Sequence, residues 1–295
     1  MIGPSGIRGL CVAATIACGI PTAGTLPAQA PWWLDTLGYT PAELSTARVP
    51  ADGFPYVPVR VDGTELWLLF DTGNMLGLSI RTEEYERLGL EQTGSWRRRN
   101  SSGDAIGAYR VGRAAVLDAL GRSVRDVAVY EFRHPRLTGL LGPRDVPGRR
   151  FTLDYRAQVI AVSETPLPAG IGGHAIRLVR SSRHPRLVVV AGHARGETVL
   201  IELDTGKSRT VVDPSWAASV DLDVAGRDTV AVGDIQVGEA RFHVTNAKPV
   251  SLQAVDPSLP APLGLSLGSD TLARFVVTVD YGTGVVLLWE QGSGR

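Results

Sequence analysis

The sequence predicts an all-β chain in which one structural unit is written twice. Three observations carry that expectation. Short runs rich in Val, Leu and Ile, such as "RAAVLD", "DVAVYEF", "DTVAVGD" and "ARFHVTN", alternate with Gly-containing turns, which is strand composition and not helix composition. The tripeptide Asp-Thr-Gly occurs twice, at 71–73 and at 204–206. The flanks of the two triplets also match on both sides, the mark of an internal repeat.

Upstream of the first triplet, "YVPVRVDGTELWLLF" reads as a strand, an Asp62-Gly63 turn and a second strand, a hairpin signal. Upstream of the second, "RLVVVAGHARGETVLIEL" reads the same way with a longer turn. Downstream, "LLGPRDVPGRRFTLDY" begins at Leu140 and "SLGSDTLARFVVTVDY" at Ser266. With Gly142 set on Gly268, Asp154-Tyr155 falls on Asp280-Tyr281 without a gap, and Leu141 falls on Leu267. The offset is 126 residues there (142 to 268) and 133 between the triplets (71 to 204). The second unit is thus seven residues shorter in the middle, the scale of loop variation. "YGTG" at 281–284 aligns with Tyr155-Arg156-Ala157-Gln158 and reads as a hairpin turn.

Helical signals are few. Thr40, Pro41 and Glu43 form a capping-box pattern. "RTEEYERLGL" at 81–90 and "DPSWAASVDL" at 213–222 are short helix candidates at matching places in the two units. The Pro/Gly-rich stretch 165–173 suits a linker.

Bulk properties narrow the function classes. The chain has 295 residues, with Lys plus Arg and Asp plus Glu each 30, so its formal net charge is zero. That balance gives no sign of a nucleic-acid or membrane-surface partner. The cluster Arg97-Arg98-Arg99 reads as a solvated loop. The five histidines, His134, His174, His184, His193 and His243, lack metal-ligand spacing, so neither a metal nor another cofactor is expected. There is no phosphate loop or dinucleotide fingerprint. Near the N-terminus, Arg8 precedes an apolar small-residue run that ends in Ala28-Gln29-Ala30. Residues 1–30 therefore read as a signal peptide, with export to a periplasmic or secreted location. Both cysteines, Cys11 and Cys18, fall inside it. A second reading takes "TIAC" as a lipoprotein site anchored at Cys18, although Thr15 stands where such sites usually carry Leu.

Asp71 is the one carboxylate in the apolar run "WLLFDTGNMLGLSI". An isolated buried carboxylate is costly, and it needs a partner or a raised pKa. A second acid in the same setting, Asp204, supplies a candidate partner. Two triplets of this kind, each after a hairpin and each followed by an apolar-apolar-Gly element, resemble the aspartic peptidases. The spacing is closer to retropepsin-like bacterial members, with both copies in one chain. The resemblance covers roughly 54–289 and is strongest at four short segments.

The resemblance implies a bilobal acid-protease fold, with two β-barrel-like lobes about a pseudo-twofold axis and a cleft between them. The division would be an arm or pro-segment at 31–50, lobe one at 51–164, the linker at 165–173 and lobe two at 174–290. It implies Asp71 and Asp204 as the catalytic pair, Gly142 and Gly268 as structural glycines, and Thr72 and Thr205 as a lock across the pair. Gly73 and Gly206 allow the tight turns. The implied activity is hydrolysis of extended peptides or unfolded proteins by a monomer that needs no metal.

The chain departs from the family after each triplet, where Ser or Ala is usual and Asn74 and Lys207 stand here. Asn74 is placed to hydrogen-bond the outer oxygen of Asp71. Long cationic stems usually reach water, so Lys207 is expected to carry its head away from the acids. An ammonium beside the pair would instead favour double ionisation and leave a catalytically silent binding module as the alternative. A structural β protein, with the triplets serving only as turns, would keep the two acids far apart. The segment 99–111, with Gly103 or Gly107 near its tip and Tyr109 as its aromatic, is the flap candidate. An ordinary surface hairpin is the competing reading for it.

Overall fold

The computed structural model describes residues 30–99, 105–146, 148–171 and 175–291. The expected signal peptide up to Gln29, with Cys11 and Cys18, lies outside the described residues, as do Gly103 and His174.

Residues 31–50 are built into the body of the protein. The helical turn α1 (Trp33–Thr36) and a 3₁₀ turn (Pro41–Glu43) lead to strand β1 (Leu44–Thr46). The capping signal operates on this 3₁₀ turn, where the Thr40 N–H and hydroxyl donate to Glu43 Oε2 at 2.8 and 3.1 Å. The first repeat contributes β2 (Tyr56–Val61), β3 (Thr64–Phe70), β4 (Leu78–Arg81), α2 (Thr82–Arg87), β5 (Gln92–Arg99), β6 (Ala105–Ala119), β7 (Arg122–Phe132), β8 (Gly139–Leu141), β9 (Arg150–Asp154) and β10 (Val159–Ser163). After β11 (Ile176–Arg177), the second repeat contributes β12 (Val189–Ala194), β13 (Glu197–Leu203), β14 (Val211–Val212), α3 (Pro214–Ser219), β15 (Gly233–Val237), β16 (Ala240–Val244), β17 (Lys248–Pro249), β18 (Leu263–Leu267), α4 (Ser269–Leu272), β19 (Phe275–Asp280) and β20 (Val285–Glu290).

The chain is all-β, and its strands form three sheets. The first repeat forms a seven-stranded sheet in the order β2-β3-β8-β4-β7-β6-β5, curled so that β2 also pairs with β6. The second forms a seven-stranded sheet in the order β16-β15-β12-β13-β18-β14-β17. A six-stranded sheet, β1-β10-β9-β19-β20-β11, draws on both repeats. At its centre β9 and β19 run antiparallel, with Thr152 opposite Thr278, Arg150 opposite Asp280 and Asp154 opposite Val276. Thr152 and Thr278 are counterparts under the 126-residue offset, and their hydroxyls are 2.8 Å apart. The two repeats therefore meet about this pair, the one place in the ladder where a residue faces its own counterpart.

Local chemistry explains the strands. The Asp62-Gly63 turn has φ values of 46° and 81°, the left-handed pair that a two-residue hairpin turn requires. The second hairpin does not have the longer turn expected for it. It closes in two residues, Arg195 and Gly196, with φ 54° and 84°, because Arg195 takes the left-handed conformation that the sequence reading reserves for Gly, Asn and Asp. Arg97 lies in strand β5, paired with Ala108, and not in a loop; its side chain is exposed. The four-residue stretches 155–158 and 281–284 are the turns of the matching hairpins β9–β10 and β19–β20.

Strands β9, β10 and β19 are buried along their whole length, because the six-stranded sheet is covered on both faces. One face, with Phe151, Ile160, Val162 and Val277, belongs to the main core. The other, with Val159, Ala161 and Val276, is covered by Trp33, Leu37 and Tyr39 of the arm. Trp33 is fully buried and its Nε1–H donates to Asp154 Oδ2 at 2.8 Å. The buried Arg150 guanidinium donates to the Leu37 and Gly38 carbonyls. The Trp32-Trp33 pair thus packs on this sheet, with Trp32 stacked on Trp289 at 5.0 Å. Trp33→Ala removes a large core side chain and leaves Asp154 short of a donor. It is expected to cost about 3–5 kcal/mol in denaturant unfolding, whereas a detachable arm would show less than about 1 kcal/mol.

Candidate active site

Strands β3 and β13 end at Asp71 and Asp204. Each acid is held by the parallel strand beside it: the Asp71 N–H donates to Leu141 O at 3.0 Å and the Asp204 N–H to Leu267 O at 2.9 Å. Gly142 and Gly268 follow those strands and are needed as glycines. A Cβ on Gly142 would collide with the Asn74 carbonyl, and one on Gly268 would lie 2.8 Å from the Lys207 carbonyl oxygen.

Thr72 and Thr205 interlock the two loops. Each backbone N–H donates to the other hydroxyl at 3.0 Å. The Thr72 hydroxyl donates to Leu203 O at 2.6 Å and the Thr205 hydroxyl to Phe70 O at 2.5 Å. Leu203 and Phe70 are themselves counterparts, so the bonding is reciprocal throughout. Both threonines are buried, and in such a setting a bond lost on one side leaves an unsatisfied group on the other.

This lock brings the acids together. Each carboxyl lies against the glycine of the other triplet. Gly73 N–H donates to Asp71 Oδ1 at 2.9 Å and Gly206 N–H to Asp204 Oδ1 at 2.8 Å. A Cβ on Gly206 would strike the Asp71 carboxyl, and one on Gly73 would strike that of Asp204. The glycines thus make room for the opposite acid, a role beyond the tight turn. Met75, from the first triplet loop, packs against an apolar cluster of the second repeat that contains Leu187, Val211 and Leu252. Burial and the neighbouring charge of Asp204 push the Asp71 pKa well above the usual carboxylate range, against the opposing pull of the Lys207 ammonium.

Lys207 does not extend to solvent. Its Nζ donates to Asp204 Oδ2 and, at 3.1 Å, to Glu202 Oε2. Burial disfavours the ammonium, but the charges of Asp204 and Glu202 and their hydrogen bonds outweigh it and raise the Lys207 pKa. The stem cannot carry its head to water without abandoning two buried carboxylates. Glu202, 1% exposed, also accepts from the Ser266 hydroxyl at 2.6 Å. Burial is the main cause of its raised pKa. Sequence reading missed Glu202 and Ser266. The available signal was a glutamate two residues before Asp204 in "VLIELDTG", which puts both acids on one face of a strand.

Asn74 does not support the dyad directly. Its Nδ2 donates to Gly77 O at 2.6 Å, and its backbone N–H to Asp71 O at 3.1 Å. Its side chain closes its own loop, with Oδ1 accepting from the Leu76 N–H at 3.3 Å. Tyr109 is not brought to the acids either. It is 7% exposed, packed on Trp96 at 5.8 Å with Arg133 over its ring. Gly107, at φ 153°, lies against that ring. β5 and β6 form a hairpin, whose tip lies outside the described residues. A groove of ≈ 630 Å³ beside the second triplet is lined by Phe54, Gly206, Lys207, Arg209, Val211 and Val250.

No family model and no curated protein matches the chain.

Two outcomes follow for stability. Thr72→Ala strands the Thr205 N–H and the Leu203 carbonyl, and is expected to cost about 2–4 kcal/mol in denaturant unfolding; a change below about 0.5 kcal/mol would contradict the lock. Asp71 binds its proton more tightly in the folded than in the unfolded chain. Its contribution is full below the unfolded carboxylate pKa of about 3.9 and is lost as pH rises toward the raised folded value. Asp71→Asn therefore raises the thermal midpoint relative to wild type at pH 7 more than at pH 3. Equal shifts at the two pH values would contradict a raised Asp71 pKa.

Proposed function

We propose that the chain is an aspartic endopeptidase in which Asp71 and Asp204 activate a water for attack on a peptide carbonyl. The observation that carries this reading is that two acids from matching loops each lie against the other triplet's glycine, held there by reciprocal threonine bonds. Two carboxyls held close together do not both ionise cheaply, so one retains a proton. The ionised member takes a proton from water as the water oxygen attacks the carbonyl carbon. The protonated member gives its proton to the carbonyl oxygen. Collapse of the tetrahedral intermediate breaks the C–N bond, and the amine leaves with a proton returned by the pair. No covalent enzyme intermediate is required.

The two seven-stranded sheets are read as the two lobes of an acid-protease fold, with the substrate extended in a cleft between them. An extended chain suits such a site because its backbone groups can pair with flanking strands. Both acids come from one chain, so one copy suffices. Export to a periplasmic or secreted location follows from the apolar N-terminal segment; anchoring at Cys18 is the alternative.

The contact between Lys207 and Asp204 favours a second reading, a binding module that keeps the dyad without turnover. A third reading, in which the triplets are only turns, required acids far apart and is not supported by acids that each lie against the other triplet's glycine.

Hydrolysis of unfolded casein separates the readings. Asp71→Asn and Asp204→Asn each reduce kcat/KM by at least about 100-fold with the strand circular dichroism unchanged. Activity within a few-fold of wild type in either variant would exclude the dyad mechanism. A wild-type protein that binds casein but leaves it intact would support the silent module.

A further inference from the structure

The two repeats differ where their acids are supported. In the first, the register of β3 against β8 puts Leu69 opposite Leu140, and Asn74 follows the triplet. In the second, the register of β13 against β18 puts Glu202 opposite Ser266, and Lys207 follows the triplet. These are the same three places under the two offsets. An apolar pair and a loop-closing amide have been replaced by a buried hydrogen-bonded chain, Ser266–Glu202–Lys207–Asp204. We propose that Lys207, Glu202 and Ser266 form a positioning device that makes the dyad unequal, keeping Asp204 as the ionised base and leaving Asp71 as the acid that carries the proton. This deepens the peptidase reading and rests on it.

The geometry supplies the reason. Asp204 Oδ2 is engaged by the ammonium, while Oδ1 accepts from Gly206. Both of its oxygens thus accept from fixed donors. Asp71 has the Gly73 amide and no cation hydrogen-bonded to it among the described residues. Glu202 fixes the ammonium from behind, and Ser266 fixes Glu202, so the lysine head has one place to sit.

Other titratable groups nearby do not reverse this. Tyr155 lies beneath, its hydroxyl 3.5 Å from Ser269 Oγ, and burial keeps it neutral. Arg209, Asp228 and Lys248 line the groove with Lys207, but all three are exposed, so solvent and salt screen them. A built-in asymmetry assigns the steps. Asp204 removes the proton from the attacking water, and the Asp71 proton goes to the scissile carbonyl oxygen.

The test follows the carboxyl ¹³C titration of Asp71 in wild type, Lys207→Met and Lys207→Arg, with the alkaline limb of kcat/KM on unfolded casein as a second readout. The ammonium favours ionised Asp71, so removing it makes Asp71 hold its proton to higher pH. In Lys207→Met the Asp71 midpoint and the alkaline limb are expected to rise by about 1 pH unit or more, and in Lys207→Arg to stay near wild type. If Lys207→Met does not fold, the triple variant Glu202→Leu, Lys207→Asn, Ser266→Leu copies the first repeat at all three places. It should fold and give the same upward shift, since replacing a buried ion pair with packed apolar groups is often tolerated. An Asp71 midpoint unmoved in the folded variant overturns the device, whether or not the protein cleaves casein. A shifted midpoint in a protein that cleaves nothing upholds the device and instead removes the peptidase reading.

Discussion

Two acidic side chains stay close together away from bulk water only if the backbones beneath them are prevented from moving apart. The reciprocal bonds of Thr72 and Thr205 impose that constraint. Each threonine ties its own loop to the strand end of the other repeat, so the loops cannot separate without leaving buried donors and acceptors unpaired. The constraint extends below the loops. β9 and β19 pair at the centre of the shared sheet with Thr152 against Thr278, and the arm seals the outer face through Trp33 and Arg150. The glycines after each threonine complete the arrangement by admitting the opposite carboxyl.

A symmetric scaffold carrying unequal acids has a chemical use. Two equivalent carboxyls share one proton without assigning it. In the proposed hydrolysis, water activation and carbonyl protonation are different tasks, assigned to different members of the pair. The Glu202–Lys207 pair sits on one side only, and it costs a buried carboxylate and a half-buried ammonium. Such an expenditure at the dyad, and its absence at the matching site of the first repeat, is the behaviour of a functional site that departs from local packing rules.

Much of this was legible in the residues. The repeat, its two offsets, the paired triplets, both hairpins and the role of Gly142 and Gly268 follow from matching segments that carry their own turn chemistry. What escaped was set by tertiary context. Arg195 occupies a left-handed position that its residue type does not advertise, which hid the equality of the two hairpin turns. Lys207 was read as a solvated lysine because the partner that turns it inward, Glu202, looks like an ordinary strand residue until the register with β18 buries it. Asn74 is engaged by Gly77 and Tyr109 by Trp96. The arm at 31–50 gave no sequence signal for pairing with β10.

In the proposed mechanism these two carboxyls jointly bind the oxygen atoms of a hydrating peptide bond. A crystal structure with a peptide bearing a hydroxyl-containing isostere at the scissile position measures that directly. The isostere hydroxyl is expected within hydrogen-bonding distance of both Asp71 and Asp204, with the Lys207 ammonium still on Asp204 and Glu202. An isostere bound elsewhere, or a hydroxyl held by the Lys207 ammonium with Asp71 turned away, would contradict that mechanism.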